Sequence, residues 1–406
     1  MSQTEILVDS RDERTVAQLI AGLTPVIPAL VITADEPSAA LGLTRWKLSG
    51  VEASVAALRA DPDTASLTAG LDGTDLDVLL AVVRSQARST FQSWCPVIDR
   101  DRDIAQPHSG SPVDPGSPVD SVELNPHVKI GLGNPTEVLA PTAAQLVGAG
   151  YPDGPRVGVA DAQIYDHPHL AGRYLGQPRT GFGPFEQAAP GHATFVAGTI
   201  LRRAPSARLI CRAALVHHTA GDPAVVNTSW TVANRLMSFL DDDISVLNMS
   251  FGCQTDGAPP LALRRALDRL GARIVLVAAA GNNGEETVPL PMYPAAFGDV
   301  VAAGAADPDG KVASTTPHAP WLDLTAPGVD VVGPFLPIAT LDGEVSPTTF
   351  GSGYVQWAGS SFAAANVTGA IAALMAERKI DAFTARDELL AGAGGDILPF
   401  HFAGTE

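Results

Sequence analysis

The feature that most constrains the fold is a series of near-continuous apolar runs between about residues 150 and 380. The runs are Arg156–Ala160, Arg208–Ala213, Ile244–Met249, Ile274–Ala279 and Val300–Ala303. Helical patterns at 192–203, 224–240 and 260–270 lie between them. This alternation predicts an α/β fold with a doubly wound, mostly parallel sheet and helices on both faces. In such sheets ligands bind outside the carboxyl ends of the strands, so polar residues that close a strand are candidate site residues.

A serine that follows a glycine begins a second informative stretch, Gly359–Gly369. The run continues in small and apolar residues to Met375, as is typical of a buried helix that packs closely on every side. Ser361 is expected at the N-terminal end of this helix, where free N–H groups and the helix dipole favour negative charge. A serine there is suited to nucleophilic attack, although a lone serine in this position more often only caps its helix.

Three more polar residues lie where apolar runs end or helices begin. Asp161 closes the first apolar run, His192 begins a predicted helix, and Asn282 follows the longest run. Considered alone, each has an ordinary explanation as a turn or helix-start residue. Together with Ser361 they form the set that acyl transfer requires: an orienting carboxylate, a general base, a nucleophile and an oxyanion donor.

The first 70 residues alternate strand and helix signals in a different order. Strand signals cover Glu5–Val8, Ala29–Thr33, Leu43–Leu48 and Thr64–Leu67, and helical faces cover Val16–Leu23 and Val51–Leu58. The order β-α-β-β-α-β predicts a small α+β domain with two helices on one face of a split sheet. An amphipathic helix is predicted at Asp75–Thr90, followed by a Pro- and Gly-rich connector from Pro96 to about Pro141. The connector contains a near-repeat, Gly-Ser-Pro-Val-Asp, at Gly110 and Gly116.

Composition argues against several classes of partner and location. The formal net charge of the 406 residues is −18 without a block of Lys or Arg, which argues against nucleic acid and anionic membranes as partners. The three cysteines are far apart and have neither a disulfide framework nor a zinc spacing. Neither a signal sequence nor a bilayer-spanning apolar segment is recognisable, so a cytoplasmic location is the expectation.

Over about residues 150–380 the chain resembles the subtilisin-like serine proteases, or subtilases. The motifs that carry the resemblance are Val-Gly-Val-Ala-Asp161, Gly-His192-Ala-Thr-Phe-Val-Ala-Gly-Thr, Ala-Gly-Asn282 and Gly-Ser-Ser361-Phe-Ala-Ala-Ala-Asn-Val-Thr-Gly. They stand in the family's order with family-like separations. We therefore divide the chain into a propeptide-like domain at 1–72, a helix and linker at 73–141, a catalytic domain at 142–385 and a C-terminal tail at 386–406.

The resemblance implies a serine endopeptidase that acts on peptides or proteins without a cofactor or catalytic metal. Asp161 is expected to orient His192, which is the base for Ser361. Asn282 and the backbone N–H of Ser361 are expected to bind the oxyanion. The residues expected to pair with an extended peptide substrate are Ser250, Phe251, Gly252, Ala280 and Gly281. Met292 is expected at the bottom of the pocket for the residue before the scissile bond.

The N-terminal domain resembles, more weakly, the propeptides that such proteases use as folding helpers and inhibitors. We therefore expect a self-inhibited precursor, in which Thr64–Thr68 lies along Ser250–Gly252 like a bound product. Ser361 is expected to cut the chain between about residues 68 and 120. The alternative is that this domain is an unrelated targeting or docking module.

Several positions depart from the family pattern. Ala162 stands in place of the usual Ser or Thr, Ala193 in place of Gly, and Ala365 in place of Pro. None of these changes removes a reacting atom, so they indicate divergence rather than loss of activity. The usual calcium-binding loop is missing, because Ile200–Pro205 runs straight on to the next strand and His169 occupies the acidic position. We therefore expect no calcium site.

Two other classes of function remain open. The first is a catalytically silent subtilase fold that binds peptides or a partner, which the altered motifs suggest. The second is a metal-dependent hydrolase, because the carboxylates and imidazoles of Asp161, Asp166, His167 and His169 could ligate Zn²⁺. A proline between two histidines is more often only a turn. Labelling of Ser361 by a fluorophosphonate excludes the first class, and insensitivity to chelators excludes the second.

Overall fold

The computed structural model describes residues 4–71, 73–104, 132–139, 154–177, 189–215, 227–255, 258–285, 289–339, 348–392 and 394–402. They form a small N-terminal unit and a larger unit. Most of the predicted connector, including the near-repeat at Gly110 and Gly116, lies outside the described residues.

The N-terminal unit is an antiparallel sheet with helices packed against it. Its strands are β1 (Glu5–Asp9), β2 (Val31–Ser38), β3 (Leu43–Ser49) and β4 (Ile98–Arg100), in the order β2-β3-β1-β4. Its helices are α1 (Glu13–Leu23), α2 (Val51–Ala60), α3 (Ala65–Thr68) and α4 (Asp75–Thr90). Successive residues of a strand point to opposite faces, so Ile6 and Val8 pack with these helices whereas Leu7 packs against the larger unit.

The strand predicted at Thr64–Leu67 is wrong, because these residues begin the short helix α3. The Asp61 side chain accepts a hydrogen bond from the Thr64 N–H at 3.1 Å, and this turn leads into the helix. The sheet is completed by β4 instead, which pairs antiparallel with β1. Because α4 shares one apolar cluster with α1 and α2, the unit extends past the predicted boundary at residue 72.

The larger unit contains the remaining strands. They are β5 (Leu132–Glu137), β6 (Arg156–Asp161), β7 (Tyr174–Leu175), β8 (Arg208–Ala213), β9 (Val246–Met249), β10 (Cys253–Gln254), β11 (Val275–Ala279), β12 (Met292–Tyr293), β13 (Val300–Ala306), β14 (Leu324–Pro327), β15 (Val331–Pro334), β16 (Ile338–Ala339), β17 (Thr348–Thr349), β18 (Tyr354–Ala358) and β19 (Leu398–Pro399). The main sheet has the order β19-β14-β13-β11-β9-β6-β8-β7, and every pair in it is parallel except β14–β19. The predicted mostly parallel sheet is therefore confirmed.

Helices cover both faces of this sheet. They are α5 (Ala189–Arg203), α6 (Ser229–Leu236), α7 (Leu261–Leu270), α8 (Ser360–Arg378) and α9 (Ala382–Leu390). Leu247 and Leu276 pack with α6 and α7, whereas their neighbours Val246 and Val275 pack with α8 and α9. Because both faces of these strands are buried, their sequences are nearly unbroken apolar runs. Within the described residues no helix has the length and apolar character needed to cross a membrane.

The residues predicted as a C-terminal tail are part of the larger unit. The helix α9 extends across the predicted boundary at residue 385, and β19 pairs with the edge strand β14. Arg203, at the end of α5, forms a bidentate ion pair with Asp396 in which both N–O distances are 2.7 Å. This ion pair and the strand pairing hold the C-terminal residues against the sheet.

Candidate active site

The four candidate catalytic residues lie at the carboxyl-terminal edge of the parallel sheet. Asp161 ends β6 and Asn282 follows β11, while His192 and Ser361 lie in the first turns of α5 and α8. Their side chains are buried, with exposed fractions of 1% for Asp161, 2% for Asn282 and 0% for the other two. The sheet edge therefore gathers residues that are far apart in the sequence.

His192 and Asp161 form the central pair of the site. The Nδ1 atom of His192 lies 3.1 and 3.0 Å from the two carboxylate oxygens of Asp161. Because an ionised carboxylate can only accept, Nδ1 carries the proton and Nε2 is the basic nitrogen of the neutral ring. Nε2 is buried and has no hydrogen-bond partner within the described part of the chain. This arrangement can take up a proton at Nε2.

Aromatic side chains fix the position of the His192 ring. Its centroid lies 5.7 Å from that of Trp357, edge to face, and 5.7 Å from that of Phe362. Because Phe362 directly follows Ser361, this contact places the first turn of α8 beside the imidazole. On the other side, a Cβ atom at Gly191 would lie 2.2 Å from the ring of Phe335, so only glycine fits before the histidine.

Buried polar side chains hold the Ser361 backbone. Ser250 Oγ donates to the Ser361 carbonyl oxygen at 3.0 Å, and Asn248 Nδ2 donates to Ser250 Oγ at 2.9 Å. Further along α8, Thr368 Oγ1 donates to Asn248 Oδ1 at 3.1 Å. Sequence reasoning assigned no role to Asn248 or Thr368. The available signal was a polar residue inside an otherwise apolar run, which needs a buried partner.

The Asn282 amide is oriented by the residue before the serine. The Ser360 N–H donates to Asn282 Oδ1 at 2.9 Å, and the Gly281 N–H donates to Ser360 Oγ at 3.2 Å. Because Oδ1 accepts at the base of α8, the NH₂ group is the donor end of this side chain, as an oxyanion donor requires. Ser360 was also missed by sequence reasoning, which considered only the second serine of Gly-Ser-Ser.

The predicted peptide-binding residues follow β9 and β11 as two short segments, 250–252 and 280–281, which we call the predicted substrate edges. Ser250 uses its hydroxyl on Ser361, and the Phe251 ring is buried in the apolar core. On the other edge, Ala280 N–H donates to Ala303 O at 2.9 Å. Gly281 has φ +103°, a conformation that favours glycine. Since the Ala280 and Gly281 N–H groups are both engaged, pairing with a substrate is left to the other backbone groups of these segments, and it stays a prediction.

The histidines suggested as metal ligands are engaged in other contacts. His167 Nδ1 accepts from the His169 N–H at 3.1 Å, and Nε2 donates to the Gly353 carbonyl at 3.0 Å. His169 Nδ1 lies 2.8 Å from the Tyr354 hydroxyl. Within the described residues no group of three His, Cys, Asp or Glu side chains could hold a metal ion. Nearby, the buried Arg173 guanidinium donates to the Pro205 carbonyl, between α5 and β8.

We expect His167 to make stability depend on pH. Burial lowers its pKa from 6.5 to about 4, so the unfolded chain binds more protons between these values. Above about pH 6.5 this group leaves the free energy of unfolding unchanged. As the pH drops from 6.5 to 4, it lowers the free energy of unfolding by about 3 kcal/mol. Urea unfolding of Ser361→Ala, with and without His167→Gln, checks this. Equal losses of stability between pH 7 and 4.5 in both proteins would contradict it.

Comparison with known proteins identifies the family. Residues 152–391 match the model of the Subtilase family, peptidase S8. The chain belongs to the subtilase family. The resemblance seen in the sequence is thereby confirmed, and the class of enzyme is a hydrolase of the serine endopeptidase type.

The similar proteins cover different shares of this subtilase. A thermostable alkaline protease of Halalkalibacterium halodurans is 33% identical over 273 residues, which cover 64% of this chain and 67% of that protein. A thermophilic serine proteinase of Bacillus sp. is 29% identical over 242 residues, which cover 55% of this chain and 53% of that protein. The chain thus spans between half and two thirds of these relatives. Fervidolysin from Fervidobacterium pennivorans, a keratinolytic enzyme related to subtilisin, has the same fold, with a TM-score of 0.54, 17% identity, and coverage of 95% of this chain and 56% of that chain.

Proposed function

We propose that this subtilase hydrolyses peptide bonds with Asp161, His192 and Ser361 as its triad and Asn282 as oxyanion donor. The observation that carries the proposal is the buried His192–Asp161 pair, with Nδ1 on the carboxylate and Nε2 available for a proton. The contact between His192 and Phe362 supports the placement of Ser361 beside that nitrogen. Burial of a charged pair costs desolvation free energy. The burial of His192 and Asp161 therefore supports a functional role for the pair rather than a purely structural one.

The reaction proceeds by acyl transfer. Ser361 Oγ attacks the substrate carbonyl carbon while His192 Nε2 takes its proton, and the Asp161 carboxylate stabilises the imidazolium. The carbonyl oxygen becomes an oxyanion and binds the Asn282 amide and the Ser361 N–H. The imidazolium returns the proton to the leaving amine, which departs and leaves an acyl-serine. Water activated by His192 then hydrolyses this ester and restores Ser361.

The N-terminal unit acts in this proposal as a tethered inhibitor. It is held against α6 and α7 by carboxylates at the start of each helix, where the dipole favours negative charge. Asp101 Oδ1 accepts from Ser229 Oγ at 2.7 Å and from Trp230 N–H at 2.9 Å at the start of α6. Asp99 Oδ2 accepts from Leu261 N–H at 3.1 Å at the start of α7.

A short arm follows β4 and pairs with the larger unit just before α6. We define the arm as residues 101–104. Asp103 forms an antiparallel bridge with Thr228, and the Ile104 N–H donates to the Asn227 carbonyl at 2.6 Å. Ile104 is 3% exposed and shares an apolar cluster with Phe251, which lies in the proposed peptide-binding edge. In this proposal the arm takes the inhibitory role that the sequence assigned to Thr64–Thr68, since the short helix α3 occupies that stretch.

We further propose that the chain processes itself just beyond the arm. If the arm is the inhibitory segment, the residues that follow Ile104 are the ones presented to Ser361, which gives a cut after residue 104 and before about residue 120. The proposed cut leaves out the earlier part of the expected window, residues 68–104, because the described residues of that stretch are folded into the N-terminal unit and the arm. The cytoplasmic location remains a separate prediction.

A fluorophosphonate probe tests the proposed nucleophile. We expect the wild type to gain the mass of one label after self-processing, because the probe reacts with a serine that an adjacent base activates. Ser361→Ala should stay at full length and unlabelled, and EDTA should leave the wild-type labelling unchanged. Equal labelling of both proteins would overturn the triad, and loss of labelling with EDTA would favour metal-dependent hydrolysis.

A further inference from the structure

Three buried hydrogen bonds lead from the middle of α8 through β9 to the backbone of Ser361. Thr368 Oγ1 donates to Asn248 Oδ1 at 3.1 Å, and Asn248 Nδ2 donates to Ser250 Oγ at 2.9 Å. Ser250 Oγ in turn donates to the Ser361 carbonyl oxygen at 3.0 Å. All four residues have exposed fractions of 0%, so bulk water does not compete with these bonds. We call the three bonds the hydrogen-bond chain.

The Ser361 carbonyl sets the direction of every bond in the hydrogen-bond chain. A carbonyl oxygen can only accept, so the Ser250 hydroxyl uses its single proton on it. Ser250 Oγ then accepts from the NH₂ group of Asn248, which turns the amide oxygen towards Thr368. The Thr368 hydroxyl is therefore the donor that completes the chain. Its removal would take this donor from a buried amide oxygen and weaken the hold on the bonds that follow.

Asn248 anchors the hydrogen-bond chain to the most rigid part of the fold. Its backbone pairs in parallel with Val159 of β6 on one side and with Val277 of β11 on the other. Its side chain lies on the same face of the sheet as that of Val246, which packs with α8. The amide of Asn248 is thus a fixed reference point from which the position of α8 is set.

We propose that Asn248 and Thr368 are positioning residues for the reaction of Ser361. The proposal rests on the peptidase function proposed above and adds two residues that act through Ser361. Thr368 lies seven residues after Ser361 in α8, so the hydrogen-bond chain fixes the helix to the sheet at two points about 10 Å apart. In the proposed reaction Ser361 supplies both the attacking Oγ and an oxyanion-binding N–H. Its backbone position therefore governs both, and a misplacement of 1 Å can cost on the order of 10²-fold in rate.

Thr368→Val tests the proposal, because valine has a similar shape and lacks the hydroxyl. We expect kcat for peptide hydrolysis and the rate constant for fluorophosphonate labelling of Ser361 each to fall about tenfold. KM should stay within about twofold, since the lost contact serves the transition state rather than substrate binding. Thr368→Ser retains the donor and should recover most of both rates. The proteins are compared in the same processing state, as established by intact mass.

Two further variants complete the experiment. Ser238→Ala removes a hydroxyl that donates to the Arg235 carbonyl, outside the hydrogen-bond chain, and should leave both rates unchanged. Ser250→Ala removes the donor to the Ser361 carbonyl itself and should lower the labelling rate at least as much as Thr368→Val. It provides the test if Thr368→Val does not fold. Melting temperatures establish which variants are folded at the assay temperature.

The outcomes separate positioning from stability. A lower melting temperature for Thr368→Val, with labelling and kcat unchanged, would show that the hydrogen-bond chain only stabilises the fold, and would overturn the proposal. Equal losses of rate in Thr368→Val and Thr368→Ser would also overturn it, because the hydroxyl would not be the cause. If a fluorophosphonate leaves Ser361 of the wild type unlabelled, the peptidase function itself fails before any variant is compared.

Discussion

His192→Ala and Ser361→Ala should each lower kcat for peptide hydrolysis by about a millionfold, a scale that we take from subtilisin. The two losses should not add in the double variant, because the proton and the nucleophile act in one step. Asn282→Ala should cost less, on the order of 10²–10³-fold, since one oxyanion donor remains at the Ser361 N–H. Steady-state kinetics of the purified proteins measure these differences.

The matched control for these variants is Ser238→Ala. Ser238 Oγ donates to the Arg235 carbonyl at 2.7 Å and takes no part in the contacts that hold Ser361, so its removal should lower stability with little change in kcat. Circular dichroism establishes that each variant is folded. Hydrolysis by Ser361→Ala at the wild-type rate would contradict the proposed nucleophile, and additive losses in the double variant would contradict a shared proton transfer.

The core of the larger unit could be predicted from the sequence because strands that are buried on both faces have nearly continuous apolar sequences. A strand covered on both faces, such as β9 or β11, contains few polar residues, so its ends are visible in the sequence. Asp161 and Asn282 were found for the same reason, since each is a polar residue just beyond an apolar run. Their contacts with His192 and Ser360 depend on the sheet order, which a single sequence does not specify.

The N-terminal unit was predicted less well because its last strand carries almost no pattern. β4 has three residues, Ile98, Asp99 and Arg100. Its two charged side chains form ion pairs and a contact at the start of α7, so the strand shows no alternation of apolar and polar residues. Thr64–Leu67 reads as strand by propensity, but the Asp61 side chain turns the chain into a helix. β4 is thus specified by its pairing with the distant strand β1, whereas strand propensity at Thr64–Leu67 is overridden by a local side-chain contact.

The contacts of Met292 with both Gly252 and Gly281 could not be predicted from the sequence. Its position near the substrate was expected from the resemblance, but a methionine side chain can lie beside a pocket or within it. The choice is set by the ladder of β10 and β12, which points the side chain between Gly252 and Gly281.

Ile104→Asp should open the groove of the full-length chain. In the Ser361→Ala background, where the tether cannot be cut, the arm competes with added peptide at an effective concentration of roughly millimolar. A labelled substrate peptide should therefore bind the Ser361→Ala protein on the order of 10²–10³-fold more weakly than it binds the same variant freed of residues 1–104. Adding Ile104→Asp places a charge in an apolar cluster and should recover at least about tenfold of this affinity. Fluorescence polarisation measures both differences.

Leu67→Asp is the matched control, because it places the same charge on α3, where Leu67 is 38% exposed. If the arm is the inhibitory segment, this change should leave peptide binding as it is in Ser361→Ala alone. Recovery of affinity by Leu67→Asp and not by Ile104→Asp would return the inhibitory role to residues 64–68. Tight binding by the full-length Ser361→Ala protein would mean that the groove is already open. The carboxylate contacts of Asp99 and Asp101 would then serve to dock a domain that does not inhibit, since capping two helices holds the unit in place whether or not the arm blocks the substrate.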